Sequence, residues 1–334
     1  MKIDRKSFAA GALGVASRVA TMTLLDQPKY HVVRKQQRSR VAILRAESYT
    51  RDLSDILRRG LDLFHLDVRG KTILLKPNLV DYIPGNHINT HPLVVTAAIE
   101  CFRGVGAANV IVGEGPGHQR DTELVLFESG MADALRQQRV RFVDLNRDEL
   151  VQTPLLATYT GLNHLWLPRT VLESHFIVSI PKVKTHHWSG VSLSTKNMFG
   201  VVPGAKYGWP KNILHWKGID RSILDICATV PIHFVIADAI LAMEGNGPLS
   251  GSPRPLNRIV LADDPVAADA TCARLMGFDP EKVVHIRAAA QFLGNCSNAQ
   301  IDQVAEPVST PATPFQTVAE FEYLQASNSF RKKC

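Results

Sequence analysis

Amine and imidazole side chains are concentrated in one run of the chain, residues 181–212, which reads PKVKTHHWSGVSLSTKNMFGVVPGAKYGWPKN. The run has no clear helix or strand period, so we predict a loop-rich segment. Its five lysines would repel one another unless an anion or a carboxylate lies among them. A lysine removed from water can act as a nucleophile or bond to a cofactor, and histidine can serve as an acid or a base. We therefore predict that His186 and Lys196 are catalytic and that Lys196 and Asn197 bind a cofactor; a solvated basic loop is the alternative.

Two further histidines are candidates for a metal site. His187 is adjacent to His186, and His215 follows a stretch rich in glycine and proline. Neighbouring side chains of an extended strand point to opposite faces, so we expect only one of the adjacent pair to enter the site. Because neutral imidazole is a common metal ligand, we predict that His187 and His215 can bind a divalent metal ion.

A second cluster, GEGPGHQRD at residues 113–121, precedes a predicted helix. Glycine lets the backbone approach a ligand closely, a helix N-terminus offers unpaired N–H groups, and arginine adds a planar fork for carboxylate or phosphate. We predict that His118 moves protons and that Arg120 holds an anionic ligand or cofactor. A tight turn capped by Asp121 is the alternative.

A lysine also lies at the end of a buried run, in the motif LLKPNLV. An amine at the point where a strand leaves a sheet can meet an anion, and we predict that Lys76 binds the anionic part of a ligand or cofactor. The alternative is a lysine at the rim of the core, with its alkyl chain packed and its amine in water.

Short β-branched runs alternate with longer segments of helical period from residue 41 onward. This alternation predicts an α/β fold with a mainly parallel sheet and helices on both faces. Ligands bind at the carboxyl ends of the strands in such sheets, so we expect the site there. The predicted strands are residues 41–44, 72–75, 110–112, 142–143, 176–180, 234–237 and 259–261.

Composition limits the classes of partner. The formal net charge of +7 and the pI near 9.2 favour a small anionic ligand. The basic residues are spread out and no zinc-finger or RNP-like pattern occurs, so we expect no nucleic acid. The five cysteines are isolated, and we expect no iron–sulfur cluster in this chain. No internal apolar run approaches about 20 residues, so we expect no stable membrane span.

The ends of the chain differ from its centre. Residues 1–27 have a charged start and then an apolar stretch rich in alanine and glycine, similar to a twin-arginine export signal in which Arg5-Lys6 replaces two arginines. Export to the periplasm and residence in the cytoplasm both stay open. We expect residues 28–39 to be a linker, 40–305 to be one α/β domain and 306–334 to be a C-terminal tail.

Several motifs resemble the DUF362 family, a domain family of unknown function, over residues 41–294. They are LLKPNLV, GEGPGH, IPKVKTHHWSGVSLSTKNMFGVVPG, YGWPKNILHW, MEGNGPLSG and DDPVAADATCARLMG. Some members of the family carry a ferredoxin-like iron–sulfur module. The resemblance therefore implies that a redox role for this chain would need a separate, ferredoxin-like electron carrier.

Two of these segments also resemble, more weakly, the N-terminal part of nickel-pincer lactate racemases. They are GPGHQRD and HHWSGVSLSTKNMFGVVPG. The resemblance implies that His118 and His186 are an acid/base pair. It also implies that Lys196 holds a nickel-pincer-like nucleotide and that His215 is a ligand to the metal. Serine and threonine precede that lysine where the racemases have glycines.

Together these features favour an enzyme that acts on a small anionic, hydroxy acid-like substrate. Histidine acid/base chemistry, with a lysine-held or metal-containing cofactor, would give a racemase, isomerase or oxidoreductase. Two alternatives use the same residues without catalysis: a protein that binds an anion or a metal, and a maturation factor for a redox enzyme.

Overall fold

The structure, a computed structural model, describes residues 35–117 and 121–326. The strands of this part are β1 (Ser39–Arg45), β2 (Thr72–Pro77), β3 (Asn109–Glu114), β4 (Phe142–Asp144), β5 (Leu150–Pro154), β6 (His164–Pro168), β7 (Phe176–Ile180), β8 (Lys182–His186), β9 (Gly190–Ser192), β10 (Phe234–Asn246), β11 (Ser250–Ala262) and β12 (Ile301–Ala305).

The helices surround these strands. In chain order they are α1 (Leu53–Leu61), α2 (Pro92–Gly104), α3 (Thr122–Glu128), α4 (Met131–Gln137), α5 (Arg169–Glu173), α6 (Ser194–Asn197), α7 (Gly204–Tyr207), α8 (Asn212–Trp216), α9 (Ile219–Thr229), α10 (Pro265–Leu275) and α11 (Val284–Ala289).

One large sheet organises the described residues, with strand order β12-β1-β11-β10-β7-β2-β3-β4. The neighbours from β10 to β4 are parallel, as are β1 and β12, whereas β11 is antiparallel to both β1 and β10. The connection from β10 to β11 spans only residues 247–249, which is too short for the crossover that a parallel pair needs. The predicted α/β fold with a mainly parallel sheet is confirmed.

Both faces of the sheet carry helices, as predicted. In β2, Ile73 and Leu75 pack in the apolar cluster that contains α1 and α2, whereas Leu74 packs on the opposite face with residues of α9. Successive side chains of a strand point to opposite faces, so a strand covered on both sides carries apolar residues at every position. The end of this apolar run marks the end of the strand, and the polar residues of the following loop lie at that edge of the sheet.

The segment 181–212 is more regular than the predicted loop. Strand β8 pairs with β10 and, through a turn, with β9. Val183 packs in the core, while Lys184 and His186 on the other side of the strand line a cavity. The polar side chains of β8 face this cavity and not the outer surface. We predicted a loop here because strands are usually identified by apolar residues that alternate with residues exposed to water.

The described part of the C-terminal segment, residues 306–326, packs against the body of the protein. Phe315 and Leu324 are fully buried, and the backbone of Gly245 in β10 donates a hydrogen bond to Gln316. Leu324 also lies against the turn between β8 and β9, because a Cβ atom on Gly190 would be 2.7 Å from its Cδ1. The C-terminal segment therefore supports the hairpin that carries His186.

The predicted export-like segment at residues 1–27, and most of the predicted linker, lie outside the described residues. Within the described ranges, no helix is both long enough and apolar enough to cross a membrane.

Candidate active site

A cavity of about 860 Å³, including its open mouth, lies at the carboxyl ends of β2, β3 and β7. Asn78 follows β2, Gly115 follows β3 and Pro181 follows β7, and all three line it. The site therefore occupies the edge of the sheet at which a parallel arrangement gathers its loops. The residues with ionisable side chains on its wall are Glu114, Lys182, Lys184, His186, His187, Lys196, Lys211 and His215.

Glu114, which lines the cavity, forms a buried ion pair with Lys76, which does not. The Lys76 Nζ atom lies 2.5 Å from Glu114 Oε2 and also donates to Asn197 Oδ1 at 3.1 Å. Gly200 packs directly on the pair, since a Cβ atom at this position would lie 1.8 Å from Glu114 Oε1. Lys76 is thus paired with a carboxylate of the cavity wall, and its predicted role of holding an anionic ligand stays a prediction.

Lys182 has a carboxylate partner as well. Its Nζ atom lies 3.0 Å from Asp238 Oδ2 and donates to the Tyr49 hydroxyl at 2.7 Å. The Tyr49 hydroxyl in turn donates to Asp238 Oδ1 at 2.8 Å. This network compensates the charge of Lys182 where β8 meets β10.

Three other lysines at the cavity have no carboxylate partner among the described residues. Lys184 Nζ donates to the Ile88 carbonyl at 2.8 Å, and Lys211 Nζ donates to the carbonyls of Gly115 and Phe199 at 2.9 and 2.7 Å. Lys196 Nζ lies 4.2 Å from the centre of the Phe199 ring and has no hydrogen-bond acceptor in this part of the chain. The cavity thus contains amines whose charge the described part of the protein does not neutralise.

Burial disfavours the charged form of these amines and lowers their pKa. The pKa of Lys196 falls to about 8, chiefly through burial and then through repulsion by Lys76. The pKa of Lys211 falls to about 7, again chiefly through burial, which the attraction of Glu114 opposes. Burial, with repulsion from Lys196, holds the pKa of Lys184 well below its usual value.

A buried carboxylate fixes the position of Lys196. The Asp269 side chain in α10 accepts hydrogen bonds from the backbone N–H groups of Ser194 and Thr195, at 2.6 and 3.0 Å, and from the Thr195 hydroxyl at 2.5 Å. These groups form the first turn of α6, the short helix that carries Lys196. A four-residue helix has few hydrogen bonds of its own, so this external acceptor sets the direction of the amine.

The two adjacent histidines are held in opposite tautomers. His186 Nδ1 accepts a hydrogen bond from the backbone N–H of Trp188 at 3.0 Å, so the neutral ring carries its proton on Nε2. His187 Nδ1 lies 2.7 Å from the carbonyl oxygen of Gly247, which can only accept, so its neutral ring has the lone pair on Nε2. Burial, reinforced by repulsion from Lys196, holds the pKa of His186 well below its usual value, which keeps this ring neutral.

Both histidines line the cavity, whereas we expected only one to do so. His186 is the last residue of β8 and His187 begins the turn that follows, so the alternation of an extended strand no longer separates them. Their ring centres are 5.1 Å apart. A donor N–H and an acceptor nitrogen are therefore available at one wall.

The predicted metal ligands, His187 and His215, both line the cavity and both contact the Trp188 ring. Its ring centre lies 4.7 Å from that of His187 and 5.0 Å from that of His215. Within residues 35–117 and 121–326, however, no group of three or more histidine, cysteine, aspartate or glutamate side chains is arranged to hold a metal ion. This donor set does not fit a metal centre by itself, and a cofactor held by Lys196 stays a prediction.

His118 and Arg120 lie outside the described residues. Gly117, which directly precedes them, lines the cavity. Sequence reasoning did not select Glu114, although a signal existed. Lys76 lies at the end of the apolar run of β2, and Glu114 ends the neighbouring strand β3, so oppositely charged residues follow two adjacent buried strands.

Comparison with known proteins identifies the family. A sequence profile described as "Domain of unknown function (DUF362)" matches residues 73–274. The chain belongs to the DUF362 family. The chain is also similar to a thylakoid-associated protein of Synechocystis sp., which is 27% identical over 282 residues, covering 81% of this chain and 84% of the relative.

Solved structures resemble this DUF362 chain only distantly. The lactate racemase apoprotein from Thermoanaerobacterium thermosaccharolyticum is 15% identical, with a TM-score of 0.42, over 73% of this chain and 58% of that one. A protein from Thermotoga maritima is 14% identical, with a TM-score of 0.36, over 65% of this chain and 56% of that one. The chain thus spans less than two thirds of the length of either structure.

Proposed function

We propose that this DUF362 protein is an enzyme that binds a small carboxylate in the lysine-lined cavity and moves protons on it with His186 and His187. One observation carries the proposal: Lys184, Lys196 and Lys211 surround a single cavity without a carboxylate partner among the described residues. Uncompensated amines in an apolar enclosure repel each other, and an anion that enters relieves this repulsion.

The cavity combines this charge with apolar walls. Leu79, Leu193 and Phe199 line it together with the amines. Charge-assisted hydrogen bonds are stronger where water is excluded, so a small carboxylate gains more from these amines than it would from lysines on the surface. A short organic acid with a compact apolar part fits this combination.

The histidines supply the proton chemistry. The Nε2–H group of His186 can donate to an oxygen of the ligand, and the Nε2 lone pair of His187 can accept a proton from it. Opposite tautomers on one wall allow a proton to be given and another to be taken without prior rearrangement of either ring. This arrangement supports an isomerase-like or racemase-like reaction on the bound acid.

Titration calorimetry with oxalate and lactate tests the binding part of this proposal. We expect both anions to bind, and lactamide, which replaces the carboxylate of lactate by a neutral amide, to bind far more weakly. Changing Lys184 or Lys211 to Met removes a charged hydrogen-bond donor, and we expect each change to weaken oxalate binding by about tenfold to a hundredfold.

Lys206→Met is the matched control, because Lys206 lies over the Trp166 ring and does not line the cavity. We expect this variant to bind oxalate as the unchanged protein does. Equal affinity of the Lys184, Lys211 and Lys206 variants, or no binding of either anion, would show that the cavity is not an anion site.

A further inference from the structure

We infer that Lys196 forms an imine with the carbonyl carbon of a 2-oxo acid bound in this cavity. The inference rests on the proposed function, because the same cavity must first hold the carboxylate of that acid. It adds a covalent role for one amine and names the class of substrate.

Lys196 differs from the other amines at the cavity in its contacts. Lys182 is held by a carboxylate, and Lys184 and Lys211 are held by backbone carbonyls. Lys196 reaches the same space with its Nζ atom over an aromatic ring and with no acceptor among the described residues. Its amine can therefore move toward a ligand without breaking a hydrogen bond within this part of the protein.

The surroundings of Lys196 also favour a reactive amine. A nucleophilic lysine must be neutral, and removal from water together with a nearby positive charge favours the neutral form. Lys196 has both conditions, since it lies against Phe199 and is repelled by Lys76, although Glu114 and Asp220 act in the opposite sense. The lowered pKa is consistent with this geometry.

The other groups at the cavity can place the ligand. Lys184 and Lys211 are available for its carboxylate, and the Nε2–H group of His186 can hydrogen-bond to the carbonyl oxygen. A 2-oxo acid carries these two groups on neighbouring carbon atoms, so both can be held while the carbonyl carbon stays open to the amine. Asp269 keeps the helix that carries Lys196 in place during this approach.

The chemistry is balanced without an oxidant or a reductant. The Lys196 lone pair attacks the carbonyl carbon, a C–N bond forms and the π electrons of the C=O bond pass to oxygen. One proton moves from nitrogen to that oxygen to give a carbinolamine. The C–O bond then breaks as the C=N bond forms, and oxygen leaves as water with both protons of the original amine.

Reductive trapping tests the inference. The protein is incubated with pyruvate and sodium borohydride, and intact mass and peptide mapping locate the product. We expect one reduced pyruvate adduct per chain, on Lys196, and less adduct when lactate competes for the carboxylate site. We expect Lys206→Met to give the same adduct and Lys196→Met to give none.

Lys196→Arg keeps the positive charge but cannot form the imine. This variant therefore separates loss of the reaction from loss of the folded structure. We expect this variant to retain a cooperative thermal transition while giving no adduct; Lys206→Met, outside the cavity, is the variant expected to keep oxalate binding. An adduct on any other lysine, or a site-specific adduct in Lys196→Arg, would overturn the inference.

Oxalate binding separates the two proposals. If the unchanged protein binds oxalate but pyruvate gives no adduct, the imine is wrong and the anion site stands. If oxalate does not bind and no adduct forms on Lys196, both proposals fail. An adduct on Lys196 that lactate does not reduce would overturn the carboxylate-directed form proposed here.

Discussion

At the scale of single residues, the lysines in and next to one cavity differ in the partners that the fold gives them. Lys76 and Lys182 are compensated by carboxylates, whereas Lys184, Lys196 and Lys211 are not. A buried ammonium without a counter-charge is unfavourable. We therefore expect these three amines to be uncharged part of the time unless an anion lies beside them. A bound anion would supply the counter-charge that the described residues do not give these amines.

The pH dependence of anion binding follows from this balance. Because the pKa of Lys196 is about 8 and that of Lys211 about 7, both amines are charged at about pH 6 and mostly neutral at about pH 9. We expect oxalate, which is anionic at both values, to bind more weakly as pH rises through 7 and 8. The other charged groups that act on these amines are Lys76, Glu114, Asp144, Lys184 and Asp220.

Titration calorimetry at about pH 6 and about pH 9 measures this loss of oxalate affinity. Buffers of different ionisation enthalpy should also show proton uptake on binding between about pH 7 and 8, because the anion favours the charged amines. Affinity that stays constant or increases toward high pH would contradict the assignment of these lysines to the anion.

Sequence reasoning selected several residues that the structure brings to one cavity, including His186, Lys196 and Asn197. It could not give the tautomers of the histidines. Those depend on two backbone groups, the Trp188 N–H and the Gly247 carbonyl, and the second lies 60 residues away in sequence. Hydrogen bonds between distant segments exist only after the strands have paired.

At the scale of elements, strands buried on both faces were the most predictable. Continuous apolar runs identified β2, β7 and the first part of β10, and each lies where we predicted it. Strands β8 and β9 were not predicted, because their polar residues face a cavity inside the protein. Strands β5 and β6 were also not predicted; they form a separate two-stranded ribbon without the continuous apolar run of a central strand.

Helix α6 depends on another element for its position. We expect Asp269→Asn to lower the free energy of unfolding by about 1–3 kcal/mol, since an amide cannot accept all the hydrogen bonds that the carboxylate receives. We also expect slower modification of Lys196 by an amine-specific reagent, because the helix that aims this side chain loses its acceptor.

Asp279→Asn is the control for this prediction. Asp279 caps the short turn Pro280–Lys282 and does not line the cavity, so we expect little change in either measurement. Urea denaturation gives the stability, and peptide mapping gives the rate at Lys196. An unchanged rate at Lys196 in Asp269→Asn would remove the positioning role.

At the scale of the whole molecule, distant segments converge on one site. The ends of β2, β3 and β7, the hairpin of β8 and β9, and helix α6 all contribute to the cavity wall. The rule that ligands gather at the carboxyl ends of parallel strands located this place from the sequence. That rule could not predict the apolar contacts of the C-terminal segment. Its apolar residues are isolated in sequence and show neither a helix nor a strand period.

Leu324 tests the contribution of this segment. Its side chain is buried and lies against the turn of the hairpin that carries His186. We expect Leu324→Ala to lower the free energy of unfolding by about 2–5 kcal/mol and to weaken oxalate binding. The neighbouring Tyr323 is 45% exposed, so Tyr323→Ala serves as the control and should change both quantities little.

Urea denaturation and calorimetry on the full chain measure these effects. A loss below about 1 kcal/mol in Leu324→Ala, with unchanged oxalate affinity, would show that the hairpin does not depend on the segment.

Among the described residues, the pairing of β12 with β1 joins the last strand of the large sheet to the first, with Ile301 beside Ser39. During synthesis on the ribosome, β1 therefore has no partner on this edge until residues 301–305 have emerged. The support for the β8 hairpin is made later still. The wall of the proposed site is consequently among the last regions of a nascent chain to become rigid, and a chain that ended before Leu324 would lack this support.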